Sequence, residues 1–259
     1  MIYQVKAYLS YRKKALKKGS SNSKFVSDLL VHVFDKKDNF YAFKAIEFVR
    51  KSLKLNTSKV VIEDLGAGSK KSQSNERTVR QIITSSAKAP KYGQLLFRLA
   101  NFLEINNAIE LGTSLGISTA YIKKARKSAQ VYTLEGAPAI VKLAKENFKL
   151  LKLKKLEVIE GNFDQTLQPL LDKLETIDFV FFDGNHREEA TLNYFNQCLE
   201  KAHNDTVFIF DDIYWSEGMT NAWNTIKEND KVTLTIDVFE LGIVFFKKDL
   251  SKENLIINY

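Results

Sequence analysis

Three carboxylates and an imidazole stand where apolar runs stop. Ile177–Phe182 is followed by Asp183-Gly184-Asn185-His186, and Val207–Phe210 by Asp211-Asp212. Like charges gathered at the ends of neighbouring strands repel, and each resists ionising. A divalent cation resolves that conflict, and the all-oxygen set of Asp183, Asp211 and Asp212 suits Mg²⁺ or another hard ion. Without a metal, Asp183 and Asp211 cap helices or receive a cationic group of a ligand. One histidine beside three aspartates is not a zinc constellation.

A second group lies in Ala108–Ala120, which begins as an apolar run, breaks at Gly112 and Gly116, and resumes as the helical pattern Ile117, Tyr121, Ile122. This is a strand, a glycine turn and a helix start. Ser114 and Ser118 sit where a side-chain oxygen would cap the first N–H groups of the helix, and those N–H groups suit a polar or anionic ligand. A dinucleotide turn requires G-x-G-x-x-G, but position 114 is serine. A P-loop requires lysine after the last glycine, and none follows Gly116. What remains is E-x-G-x-x-x-G, with Glu110 at the strand end. After the next strand comes Glu135, placed to accept ribose hydroxyls; the alternative is an exposed strand-end acid. After the third comes Gly161-Asn162-Phe163-Asp164. There Asn162 would read base edges and Phe163 would stack on the base, while Asp164 either joins them or caps a helix.

The E-x-G-x-x-x-G turn resembles motif I of the class I S-adenosylmethionine (SAM) dependent methyltransferases, whose ligand carries a nucleoside and an amino acid but no phosphate. The resemblance implies SAM as cofactor, held by Glu110, Gly112, Ser114, Gly116, Ser118, Glu135, Gly161, Asn162, Phe163 and Asp183. The pairing of the Asp183 segment with Asp211-Asp212 is similar to the metal-dependent small-molecule O-methyltransferases of the catechol and caffeoyl-CoA type. In that family an aspartate and an Asp-Asn pair hold a metal that binds two vicinal substrate oxygens, and a lysine three residues past the first aspartate is the general base. Here His186 takes the lysine's place and the pair is Asp-Asp. Aspartate is the better ligand for a hard cation, and histidine titrates nearer neutral pH than lysine. The resemblance implies a methyl transfer to an oxygen of a small-molecule acceptor, with Asp183 and His186 as catalytic residues. It covers about Tyr92 to Lys248.

The elements that must hold these groups alternate. Strands are expected at Ala108–Leu111, Val131–Leu134, Leu156–Glu160, Ile177–Phe182 and Val207–Phe210. Helices are expected at Ile117–Lys127, Pro138–Leu151, Gln165–Leu174, Glu188–Ala202 and about Trp215 to Asn229. That alternation makes a parallel sheet with helices on both faces. Val232–Phe239 and Ile243–Phe246 are joined by only Glu240-Leu241-Gly242, too short for a crossover, so they must be antiparallel. The expected fold is α/β and Rossmann-like, seven strands ending in an antiparallel hairpin. It spans residues 91–259 behind a helical N-terminal extension over 1–90. Val60–Ser69 imitates a glycine motif but is followed by a polar run, so it reads as a loop, a candidate cover for the site, with a helix from about Glu76 to Ala87. Tyr214 and Trp215 either wall the acceptor pocket or pack.

The 259 residues are 44% hydrophobic and 27% charged, enough for a sizeable core and unlike a disordered chain. A single cysteine, Cys198, excludes an internal disulfide framework and lies in an apolar helical pattern, as packing. No apolar h-region and no membrane-length run occur, so a cytoplasmic protein without membrane contact is expected. The net charge is +8, but the lysines are scattered in pairs (Lys36-Lys37, Lys70-Lys71, Lys123-Lys124, Lys154-Lys155, Lys247-Lys248). Nucleic acid is therefore not the expected partner, and a homodimer is the default assembly. The basic run Arg12, Lys13, Lys14, Lys17 and Lys18 is either a solvated helix face or a patch for an anionic partner. Other acceptors (sugar, natural product, RNA), a nicotinamide oxidoreductase and a noncatalytic SAM- or RNA-binding module are the competing readings. The absent N/D-P-P-Y/F motif excludes the usual adenine or glutamine amino-methylation.

Overall fold

The computed structural model describes residues 2–15, 23–35, 40–62 and 76–259. Lys17, Lys18, Gly19–Asn22, Lys36, Lys37, the Asp64–Ser69 loop, Lys70 and Lys71 lie outside the described residues. The chain divides into two compact units, Lys36–Leu170 and Met1–Asp35 with Leu171–Tyr259. The expected boundary at residue 90 falls inside the first.

The elements in chain order are α1 (Ile2–Lys14), α2 (Lys24–Leu29) with a π-helical turn at Leu30–Phe34, α3 (Tyr41–Leu55), β1 (Lys59–Val61), β2 (Glu76–Thr78), α4 (Val79–Ser86) and α5 (Pro90–Phe102). There follow β3 (Asn107–Leu111), α6 (Ile117–Ala125), β4 (Gln130–Glu135), α7 (Pro138–Leu150), β5 (Leu156–Glu160) and α8 (Phe163–Leu171). The rest is β6 (Ile177–Phe182), α9 (Glu188–Leu199), β7 (Ala202–Asp211), α10 (Glu217–Glu228), β8 (Leu234–Asp237), β9 (Leu241–Phe245) and β10 (Glu253–Ile256).

In the Lys36–Leu170 unit, β3, β4 and β5 form parallel ladders in that order. β3 is apolar because both its faces are covered; from Ala108 to Leu111 every residue is buried, Glu110 included. The helices before β3 build the core. Phe43, Ile46, Val49 and Leu53 recur at helical spacing and form the inner face of α3, against Val79, Ile82 and Ile83 of α4, Phe97 of α5 and Tyr121 of α6. Gly93 lets α5 approach α6, since a Cβ there would lie 2.4 Å from the Tyr121 ring. The helix expected from Glu76 starts three residues later. Glu76–Thr78 pairs antiparallel with Lys59–Val61, with Lys59 and Glu76 in a 2.8 Å ion pair. Thr78 and Gln81 form a capping box that opens α4. The first 90 residues therefore carry a two-stranded antiparallel ladder as well as helices.

In the other unit the ladder runs β10-β8-β9-β7-β6. β6 and β7 are parallel, while β9 is antiparallel to both β7 and β8. The expected hairpin forms between β8 and β9. An additional strand, β10, pairs parallel to β8 beyond the last expected strand. Phe182 stacks on Phe210 at 4.4 Å, and Cys198 is fully buried, its thiol pushed up by burial, so it packs.

Phe43 is 3% exposed and meets Phe97 edge to face at 5.0 Å. Phe43→Ala is expected to destabilise the chain by about 3–5 kcal/mol in denaturant melts, the range for emptying a packed aromatic position.

Candidate active site

The glycine turn follows β3 within the Lys36–Leu170 unit. Gly112 N–H and Thr113 N–H both donate to Leu134 O, at 3.0 and 3.1 Å, which ties the turn to β4. Gly116 is the N-cap of α6 at φ 79°, and a Cβ there would lie 2.3 Å from the Phe148 ring, so conformation and space both require glycine. No side chain caps α6. The expected capping by Ser114 and Ser118 is therefore not found, because both hydroxyls have other partners. Ser114 Oγ lies 2.8 Å from Ser86 Oγ, and Ser118 bonds Glu110.

Glu110 is fully buried. Thr119 and Thr133 donate their hydroxyls to Oε2, the latter at 2.6 Å. Since the single Thr133 proton points to Glu110, the 2.6 Å contact between Thr113 and Thr133 must be donated by Thr113. Oε1 is buried with no hydrogen bond among the described residues. Burial pushes the carboxyl from its ordinary 4.5 up to about 7, against the three hydroxyl donors, with a smaller push from Glu135. Glu110 thus braces the turn from inside the protein, with none of its surface open to a ligand.

Glu135, half-buried at the end of β4, accepts one backbone N–H on each oxygen, from Ser114 at 2.9 Å and Ala137 at 3.0 Å. Ser114 is itself at φ 46°. A carboxylate offers about four lone-pair sites, so hydroxyl donors fit beside the two amides. At the end of β5, Gly161 takes φ 138° and its N–H donates to Glu135 O. Asn162, rather than Asp164, opens α8. Its Oδ1 accepts Asp164 N–H at 3.0 Å and its carbonyl accepts the N–H groups of Gln165 and Thr166. Phe163 begins α8 and is half-buried.

The carboxylate group belongs to the other unit. Asn185, at φ 50°, reverses the chain after β6 and anchors through Nδ2 to Tyr194 OH at 3.1 Å. His186 Nε2 returns to 3.9 Å from Asp183 Oδ1. Asp183, His186 and buried Asp211 each offer one ligand atom, all within 4.8 Å of one another. Bond lengths of about 2.1 Å would put opposite ligands about 4.2 Å apart, so the group is spaced to close slightly on one divalent ion, but it is two carboxylates and an imidazole rather than the expected all-oxygen set. Asp212 is outside the group. It turns away at φ 55°, with its N–H on Glu240 O at 2.9 Å.

Tyr214 packs. Its hydroxyl donates to Asp237 Oδ2, and its ring stacks on Phe239 at 5.2 Å. Asp237 Oδ1 accepts Phe239 N–H at 2.8 Å, and burial raises the Asp237 pKa against these bonds. Trp215 is 40% exposed. The threonines around Glu110, and Asp237 and Phe239 as the partners of Tyr214, are not singled out by the sequence reading. The one available signal was register: Glu110 pairs with Thr133 across β3 and β4.

Residues 109–213, from β3 to the turn after β7, match the family described as a methyltransferase domain. A curated catechol O-methyltransferase of Mycobacterium tuberculosis is 26% identical over 140 residues, which are 51% of this chain and 60% of that protein. An uncharacterized protein, R132, of Acanthamoeba polyphaga mimivirus is 26% identical over 145 residues, 51% of this chain and 65% of that one. The matches thus span about three-fifths of these relatives. Among solved structures, the O-methyltransferase of Bacillus cereus in complex with SAH superposes with TM-score 0.58 at 20% identity, covering 86% of this chain and 96% of that one. The SAH-bound methyltransferase of Podospora anserina gives TM-score 0.61 at 14% identity over 90% and 100%. The SAM complex of the Streptomyces achromogenes O-methyltransferase involved in Tomaymycin synthesis gives 0.58 at 14% over 88% and 100%. The chain has the Rossmann-like fold of the SAM-dependent O-methyltransferases, as the motifs implied.

Between pH 4.5 and 7 the folded chain holds a Glu110 proton that the unfolded chain has lost, so stability falls as pH rises through that window. Glu110→Gln is expected to flatten this fall by up to about 3 kcal/mol, read as melts at pH 5 and 7.5. An unchanged slope would show that Glu110 is ionised in the fold.

Proposed function

We propose that this chain is a SAM-dependent methyltransferase acting on an oxygen of a small-molecule acceptor, with a divalent cation held by Asp183 and Asp211. The observation that carries the oxygen acceptor is the convergence of Asp183, His186 and Asp211 within 4.8 Å. The relative named a catechol O-methyltransferase supports a small hydroxylated acceptor. Residues 91–259 are the proposed catalytic domain and 1–90 an extension. The proposed setting is the cytoplasm; no helix among the described residues is long and apolar enough to cross a membrane.

SAM supplies an activated methyl on a sulfonium that is already a good leaving group. Glu135 would accept the ribose hydroxyls, and the turn at Gly112–Gly116 would leave room for the amino-acid end. Asn162 and Phe163 would flank the base. A divalent ion, when bound, lowers the pKa of the acceptor hydroxyl and orients it. His186 would take the acceptor's proton at Nε2, the ring nitrogen that faces Asp183 Oδ1 across 3.9 Å. Positioning and deprotonation are then the whole task left to the protein.

The test separates ligand from base. Asp183→Asn and Asp211→Asn are expected to weaken Mn²⁺ binding about tenfold or more in calorimetry. His186→Gln should keep Mn²⁺ and SAH affinity while turnover of labelled SAM with a catechol acceptor drops about 10²- to 10⁴-fold. Loss of Mn²⁺ binding in His186→Gln would make the histidine a ligand, and turnover unaffected by EDTA would remove the metal from the reaction.

A further inference from the structure

α3 is apolar on two faces. Its inner face, Phe43, Ile46, Val49 and Leu53, is buried in the core. Its outer face repeats every seven residues: Tyr41, Phe48 and Leu55 are 87%, 72% and 75% exposed. Ala45 and Ser52 follow the first two of these at four residues, and Lys44 and Lys51 at three. Single exposed apolar side chains are ordinary; three large ones spaced seven residues apart make an apolar seam along one side of the helix. At 1.5 Å per residue the stripe is about 21 Å long. Beside it runs a groove of about 350 Å³ lined by Phe43, Lys44, Glu47, Phe48, Lys51 and Gln94.

The charges say what would fill it. The rim carries Lys44, Lys51 and Lys54, all exposed and in no ion pair among the described residues. The only acid of α3, Glu47, is already engaged, accepting Arg50 Nε at 2.9 Å and the Tyr121 hydroxyl at 2.8 Å. A second copy of α3 laid on this stripe would set lysines against lysines with no acid to answer them. From the heptad of exposed apolar residues and its uncompensated lysine rim we infer that the outer face of α3 docks an acidic amphipathic helix of a partner protein. Its apolar residues would fill the seam in the helix-in-groove manner, and its Glu or Asp residues would meet Lys44, Lys51 and Lys54.

The probe is a synthetic helical peptide about three heptads long, with leucine on the seam and glutamate on both flanks; a copy with lysine in place of glutamate is the control. Titrated into the full chain at low salt, the glutamate peptide is expected to bind with micromolar affinity and the lysine peptide not at all. Phe48→Ser, and separately Lys44→Glu with Lys51→Glu, should each weaken binding about tenfold or more, with SAH affinity and melting temperature unchanged. Failure of the glutamate peptide to bind, or equal binding of both peptides, would overturn the inference. So would a dimer in sedimentation that Phe48→Ser dissociates, since a second copy would then cover the face.

Discussion

A carboxylate shut away from water decides the shape of the strand end on which the turn is built. Glu110 sits at the penultimate position of β3 with no exposed surface, and its hydrogen-bond partners among the described residues are hydroxyls. Those hydroxyls come from β4 through Thr133 and from α6 through Ser118 and Thr119. One buried group therefore ties together the strand before the turn, the strand beside it and the helix after it. Thr113 extends the chain of bonds into the turn itself. With both ends held, the turn has one way to connect them. Gly116 closes it in the left-handed conformation, where a Cβ would run into the Phe148 ring.

Glu135 completes the arrangement from outside. Its two oxygens draw in the N–H groups of Ser114 and Ala137, so the carboxylate of one strand end fixes the turn that follows another. The same device recurs in the other unit. Asp237 bridges Tyr214 and the Phe239 backbone, and the Glu240 carbonyl receives Asp212 N–H, which steadies the segment after Asp211. Four of the seven described non-glycine residues at positive φ lie in these places. Ser114, Asn185, Asp212 and Phe239 are all non-glycine residues at positive φ, at the strand ends or in the β8–β9 turn. Such conformations cost free energy and persist where surrounding bonds hold them, which here are also the places where the candidate ligating groups stand.

Much of this was legible in the residue order. The β3–β7 alternation, the antiparallel hairpin and the glycine turn follow from apolar runs broken by glycine and acid, and those signals are local. The parts that were not legible depend on tertiary contacts. Glu76–Thr78 looked like the first turn of a helix because its partner strand, Lys59–Val61, lies far back in the chain. β10 is short and becomes a strand only beside β8. Ser114 and Ser118 have the right residue type for capping, but the buried Glu110 and Ser86 compete for their hydroxyls. Asp212 follows Asp211 directly, yet the left-handed turn takes it out of the group that Asp183, His186 and Asp211 form. His186 enters that group because Asn185 reverses the chain, a conformation its residue type permits but does not demand.

The claim on which the rest stands is that the braced turn and Glu135 hold S-adenosylmethionine. Calorimetric titration of the full chain with S-adenosylhomocysteine, with NAD⁺ as control, tests it without requiring the acceptor or a metal. Micromolar binding of S-adenosylhomocysteine, none of NAD⁺, and loss of affinity in Glu135→Ala are the results the account predicts. No binding to the wild-type chain, or undiminished binding in Glu135→Ala, would contradict it.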